Sequence, residues 1–433
     1  MTPLSRLGGA VAALSRDGIG LGERLAIERT QRVLDRSRVS ALGPLRRHRP
    51  VLRVGRSLVV VSRREDVLAI LADHEGFDTP YARRLPGEFV LGLDGDEYER
   101  HLGALRRAVR EDDLPRLRER VTSLVTAGRT GAREPGRLDV GADLVHPAHT
   151  GVVSDYLGLA IGGTGPDART LAAWARDMFA AIFLNEPGFA SVERRGDAAA
   201  RRFETYVDSL VAARRREPAR DDVLGRLTAQ RTLSPAEGPV AGLDDVEVRN
   251  NLIGLAIGWL WHGTRAALVA VDELLDRPDA LALAREAART GDAPGLQRVL
   301  WEALRCRPIQ VGVVRVCRRE TTLAAGTPHQ AHLVPGDRVL VGTHSAMWDE
   351  DAVPDPGSFD PLRADGQYLI FGHGRHRCLG EHLMKDQLPA MLGPLLARDG
   401  LARAPGRAGR LRWAGGCPDG LRVQVGKQPT VGG

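Results

Sequence analysis

The chain has 433 residues, a net charge of +6, 27% charged and 43% apolar residues, 4% aromatic residues and four cysteines. This balance excludes a disordered tail protein, a collagen and a disulfide-stapled secreted module, and leaves ample apolar material for a core. Four cysteines in so long a chain point to a reducing compartment, where a lone thiol acts as a ligand or nucleophile rather than half of a bridge.

At the N-terminus, Arg6 precedes a short Gly/Ala run ending at Leu14, without the apolar core and cleavage site of a signal peptide, so a cytoplasmic location is expected. Residues 1–45 read as a helical lead-in. Residues 50–62 alternate around a glycine turn and predict a hairpin, followed by a helix over 64–73. Helices are predicted over 98–114, 143–159, 167–183 and 196–216. The Gly-, Pro- and Arg-rich breaks at 127–137 and 230–243 are flanked by more helix. With no long linker and no repeat, a single domain over 1–433 is expected.

Asp244 and Asp245 cap a long helix ending at Asp276, which at 1.5 Å per residue is roughly 50 Å long. Its centre is apolar on every side and must be buried. The apolar stretch 252–261 is about half the length of a bilayer span, so no membrane segment is expected. A further helix is predicted over 294–304, with Pro294 in its first turn. Strands over 311–323 and 337–344, a loop-rich stretch to Cys378, a helix over 379–396 and a hairpin over 413–425 complete the reading. The fold class is mainly α with a small β region. Arginine runs such as Arg214-Arg215-Arg216 are interleaved with acids and read either as a solvated surface or as a face for an acidic protein partner; no nucleic-acid motif is present.

The most informative stretch is Phe371-Gly372-His373-Gly374-Arg375-His376-Arg377-Cys378-Leu379-Gly380. Its glycines permit a tight turn and close approach to something large and flat, and its cysteine arrives as a helix begins. Helix N-terminal amides and two neighbouring arginines favour the thiolate. A zinc site from His373, His376 and Cys378 is the alternative, although it lacks a fourth ligand nearby.

The pattern Phe-Gly-x-Gly-x-His-x-Cys-x-Gly resembles the heme-binding loop of the cytochrome P450 family. That resemblance implies heme b as cofactor, a heme-thiolate core over 46–425 and a long central helix over the heme. It assigns Cys378 as the axial iron ligand and Phe371 as the ring shielding the sulfur. It also makes Gly372, Gly374 and Gly380 loop positions close to the heme, and His376 a propionate contact. Glu302-Ala303-Leu304-Arg305 resembles the family's Glu-x-x-Arg element, and Phe359-Asp360-Pro361-Leu362-Arg363 the segment whose arginine completes a buried Glu302–Arg305–Arg363 network. Arg315 resembles a second propionate anchor, its alternative being a surface arginine.

Two departures stand out. Where the family carries an acid and a threonine on its central helix, this chain reads Ala256-Ile257-Gly258-Trp259-Leu260-Trp261-His262-Gly263-Thr264-Arg265. The usual proton relay is missing, unless Thr264 supplies the alcohol. His262, on one face with Gly258, is either a core histidine or a distal acid–base able to move a proton between the oxygens of a peroxide. Trp259 and Trp261 either pack the core or narrow the pocket. The second departure is at 94–102, where Tyr98 and Leu102 stand at the usual propionate-anchor positions, so anchoring is expected to shift to His101 or Arg106.

The expected function is oxidation of a small, largely apolar molecule, by hydroxylation, epoxidation or oxidative coupling, in specialised metabolism. Pocket residues are expected from 76–95, 180–195, the central helix and the stretch after Pro308, including Ile309 and Val311. A monooxygenase of this kind takes electrons from a separate ferredoxin or flavoprotein, docking near Arg375 and Arg377, and is expected to be a monomer. The alternatives are a peroxide-using oxygenase or peroxide-rearranging isomerase and, from another class, a non-catalytic heme carrier or gas sensor.

Overall fold

The computed structural model describes residues 38–55, 58–81, 86–130, 136–163, 165–185, 188–217, 220–230, 242–414 and 417–426. The N-terminal lead-in falls mostly outside these residues, apart from the helix Arg38–His48. Residues 231–241 of the break at 230–243 and 131–135 of that at 127–137 also lie outside them.

The central helix runs Asp245–Leu275 over 31 residues. A capping box starts it: the Asp244 carboxylate accepts from the Glu247 amide at 2.9 Å, and the Glu247 carboxylate accepts from the Asp244 amide at 2.8 Å. Among the described residues it is the one helix long and apolar enough to cross a membrane. Most of its apolar window is instead buried in protein, as a core spine requires. Between Gly258 and Gly263 it widens into a π-helical turn. Such a turn holds an extra residue and rotates the next helical turns relative to a continuous α-helix.

Around this spine pack the helices Leu114–Thr130, His146–Leu157, Ala168–Phe179, Ala190–Arg214, Ala293–Cys306 and Glu381–Leu396, burying one large apolar core. The helix expected over 98–114 is two. Gly95–Ala108 ends as Val109 turns to an extended conformation, and a new helix begins at Leu114, because Pro115 is tolerated in a first turn but not in a helix interior.

A smaller core lies against a five-stranded sheet ordered β1-β2-β8-β5-β3, formed by Val51–Val54, Leu58–Val61, Arg338–Val341, Val313–Cys317 and Phe77–Asp78. β1 and β2 are the predicted hairpin, turning at Gly55 with φ +66°. Alternation puts Val59 and Val61 fully inside, against Val67 and Ile70 of the helix Arg64–Ala72. β4 (Arg137–Asp139) belongs to a second sheet, and β6 (Thr321–Leu323) pairs with β7 (Ala331–Leu333). The expected closing hairpin is divided. β10 (Arg412–Ala414) pairs with β11 (Cys417–Gly420), whereas β12 (Arg422–Gln424) leaves it to lie between β4 and β9 (Ala402–Arg403). Strand pairing over such sequence distances has no local signal to announce it.

Candidate active site

The cysteine loop owes its shape to its glycines. Gly372 and Gly374 take φ of +77° and +71°, conformations that side chains disfavour. The Cys378 amide donates to Phe371 O at 3.0 Å and the Arg377 amide to Gly374 O at 3.1 Å, folding the loop back on itself just before the helix Glu381–Leu396. Phe371 packs on Trp301, with ring centroids 5.3 Å apart. A Cβ on Gly374 would sit 2.3 Å from Leu71 O, so this glycine is required by the neighbouring helix; it is not among the residues that line the cavity. A Cβ on Gly380 would make ordinary contact with Cys378 Sγ at 3.8 Å.

Cys378 opens onto a cavity of ≈ 350 Å³ that Gly372, His376, Gly380 and Phe371 also line. Burial of its surroundings pushes the thiol up, opposed by the Gly380 amide and the Arg377 guanidinium. Among the described residues the one trio of ligand-type side chains whose donor atoms converge is Glu97, His101 and Glu247, so His373, His376 and Cys378 do not assemble a zinc site.

The π-helical turn forms another wall of this cavity. Gly258, Trp259, His262 and Gly263 line it, and Gly258 has open space where a side chain would be. The His262 ring stands edge-on to Phe179 and Phe183, at centroid distances of 4.7 and 5.7 Å. Its Nε2 lies 3.3 Å from Nε2 of Gln310. Burial, with Arg265 nearby, drives its pKa down to about 4, so the imidazole is neutral at physiological pH.

Thr264 is elsewhere. Fully buried, it donates to Leu260 O at 2.6 Å, and its oxygen lies 3.2 Å from His149 Nδ1, outside the cavity lining. The candidate alcohol is therefore removed from the site. Trp261 is also outside the lining, tilted against Phe179 at a centroid distance of 5.7 Å, whereas Trp259 meets both the cavity and Tyr156. After Pro308, Ile309 lines the cavity as expected but Val311 does not; Val311 O accepts from the His344 amide, and Gln310 and Val313 face the space instead. Phe89, Val90, Ile182 and Phe183 come from the two predicted loop regions.

His101 does not reach the cavity. Its ring is held by Asn251 at 2.9 Å and Glu247 at 3.4 Å, beside Arg100, which pairs with Glu97 and Glu247. The cavity face of this helix is instead Tyr98 and Leu102, one turn apart. Tyr98 donates its hydroxyl to Arg375 O and meets the His376 ring edge-on at 4.9 Å. Arg106 is absent from the lining as well.

Two groups on the wall have unmet demands, one for a counter-charge and one for a hydrogen bond. Arg315, 6% exposed, donates to Val314 O at 3.0 Å and has no carboxylate within ion-pair distance among the described residues, and burial lowers its pKa. His376 Nδ1 is buried without a hydrogen bond, and burial lowers this ring to about 4. An unpaired buried cation is costly. An apolar cavity walled by a thiol, a guanidinium without a counter-charge and an imidazole nitrogen without a hydrogen bond fits a flat macrocycle bearing carboxylates.

Beneath the loop, Glu302 and Arg305 are fully buried and paired at 2.7 and 2.9 Å. Glu302 also accepts from Arg363 Nε at 3.2 Å, the Asp360 amide at 3.0 Å and the Tyr368 hydroxyl at 3.2 Å. Sequence reasoning misses Tyr368; its position just before Phe371 is the one clue to it. At the surface, Arg375 is paired with Asp94 and Glu99, and Arg377 with Glu381, so the local charge is largely balanced.

A family model described as Cytochrome P450 matches residues 286–399. The cyclomarin C epoxidase CymV of Salinispora arenicola (strain CNS-205) is 29% identical over 370 residues, 82% of this chain and 87% of that protein. The mycinamicin IV hydroxylase/epoxidase of Micromonospora griseorubida is 28% identical over 403 residues, 86% of this chain and 91% of that protein. The crystal structure of CalO2 shares the fold with a TM-score of 0.76 and 24% identity, over 91% of this chain and 97% of that one.

Proposed function

We propose that this chain, a heme-dependent monooxygenase of the cytochrome P450 family, hydroxylates, epoxidises or oxidatively couples a small, largely apolar molecule of specialised metabolism. The observation that carries this reading is an apolar cavity of ≈ 350 Å³ with the Cys378 thiol at one wall and the central helix at another. The two named relatives, an epoxidase and a hydroxylase/epoxidase, point the same way.

Bound heme supplies the iron at which oxygen is activated. On this reading Cys378, whose amide donates to Phe371 O, would hold the heme iron through its thiolate, and the Phe371–Trp301 pair would keep water from the sulfur. Arg315 and His376 would receive the heme carboxylates, which would give the guanidinium a counter-charge and His376 Nδ1 a hydrogen bond. The Glu302–Arg305–Arg363 network fixes the segment leading into the loop. Electrons come from a separate ferredoxin or flavoprotein. A donor docking near Arg375 and Arg377 competes with their existing ion pairs, so its affinity is salt-sensitive.

The test is the spectrum of the ferrous carbon monoxide complex. Thiolate ligation gives a long-wavelength Soret band that Cys378→Ser abolishes; a spectrum indifferent to that change overturns the assignment. Turnover of apolar candidate substrates with reduced ferredoxin then reads the reaction.

One observation favours a second reading, the use of hydrogen peroxide. Thr264 faces away from the cavity whereas His262 lines it. A neutral imidazole that turns its unprotonated nitrogen to the cavity, the tautomer opposite to the one inferred below, can accept a proton from one oxygen and return it to another. Peroxide-driven turnover that exceeds the ferredoxin-driven rate and collapses in His262→Ala would favour this reading.

A further inference from the structure

We propose that Gln310 is a positioning residue that holds His262 in its Nδ1–H tautomer, so that the pair presents an N–H donor to an oxygen acceptor in the cavity. This rests on the heme-thiolate reading of the site and adds a residue and a protonation pattern to it.

Beyond Arg315 and His376, assigned above to carboxylates, and Trp259, whose Nε1 is buried without a partner, the main polar side chains on the cavity wall are committed. Asn251 accepts from the Val90 amide and donates to Glu247 O, the Tyr98 hydroxyl goes to Arg375 O, and the Tyr81 hydroxyl accepts from the Val314 amide. Thr264, the nearest hydroxyl on the helix, is occupied by Leu260 and His149. The His262–Gln310 pair is what the π-helical turn and the stretch after Pro308 bring together on this wall.

The Gln310 amide is oriented with Nε2 3.3 Å from His262 Nε2; in this orientation the amide nitrogen, which only donates, makes His262 Nε2 the acceptor and leaves the ring proton on Nδ1. Nδ1 has no hydrogen-bond partner among the described residues and is not sealed off as a buried atom. Phe179 and Phe183, both edge-on to the ring, resist its rotation. Burial keeps the ring neutral, so one nitrogen donates while the other stays tied to Gln310.

The test reads the tautomer directly, by nitrogen-15 histidine NMR of the diamagnetic ferrous carbon monoxide complex, with the His262 resonance assigned by its loss in His262→Phe. The wild type shows the Nδ1–H pattern. Gln310→Leu averages it toward a tautomer mixture, and Gln310→Glu, whose carboxylate only accepts, switches it to Nε2–H. In parallel the carbon monoxide stretch rises in frequency in His262→Phe and broadens in Gln310→Leu, as the donor is removed or released. A wild-type Nε2–H pattern, or a pattern indifferent to both Gln310 substitutions, overturns the pairing while leaving heme ligation intact. A wild-type spectrum without thiolate character overturns the underlying site, and with it this role.

Discussion

The hydroxyl of Thr264 and the imidazole of His149 form a closed pair behind the central helix, 3.2 Å apart, with the hydroxyl proton directed to Leu260 O. The threonine nearest the expected relay position is thus part of the packing between the central helix and His146–Leu157. Thr264→Ala is expected to leave product formation per reducing equivalent within about twofold and to lower stability by ~1–3 kcal/mol, because His149 is left with an unmet buried donor. Coupled turnover and urea unfolding of the same variant check both halves.

The two glycines of the π-helical turn predict opposite outcomes. A Cβ at Gly263 would stand 2.8 Å from the His149 ring, so Gly263→Ala costs about 1–3 kcal/mol through overpacking. At Gly258 the same methyl meets open cavity, so Gly258→Ala keeps or gains up to ~1 kcal/mol and instead changes which substrates fit. Thermal unfolding midpoints that fall for Gly263→Ala and hold for Gly258→Ala are the expected result.

Glu302 accepts from both Arg305 and Arg363 at zero exposure. Glu302→Ala strands two buried guanidinium groups and is expected to cost about 3–5 kcal/mol. Soluble yield and heme content should fall together; a variant with full heme occupancy and wild-type unfolding would remove the network from the scaffold of the loop.

Acid sensitivity has a specific source in His149. Burial lowers its pKa from 6.5 to about 3, so the unfolded chain takes up a proton there that the folded chain refuses. Stability is complete above pH 6.5 and falls as the pH drops from 6.5 toward 3, by up to about 1.4 kcal/mol per pH unit. His262, lowered to about 4, adds in the same direction. Glu247, depressed to about 2, contributes only below its ordinary value of 4.5, so denaturation measured between pH 7 and 5 isolates the histidines. His149→Asn, which can still donate to Thr264 but cannot titrate, should flatten that limb.

How much is legible in the sequence depends on how local each constraint is. The cysteine loop and the Glu302–Arg305–Arg363 network are readable because their residues carry the requirement in their own spacing, and the structure brings them together. The choice between His262 and Thr264 is not, since counting back from the helix end assumes a constant turn and the π-helical segment breaks it. His101 is misplaced by sequence because a single helix shows which residues share a face but not which face meets the cavity; Glu247, distant in sequence, claims it. Gln310 is hidden between two named neighbours in an irregular stretch with no period to track.

The contact between Gly374 and Leu71 ties the cysteine loop to the sheet-side core, while Phe371 on Trp301 ties it to the helical core. The thiol therefore hangs on a bridge with one abutment in each layer. A shift of one layer against the other would be felt at the sulfur, and the ligand's spectrum reports on the joint between them.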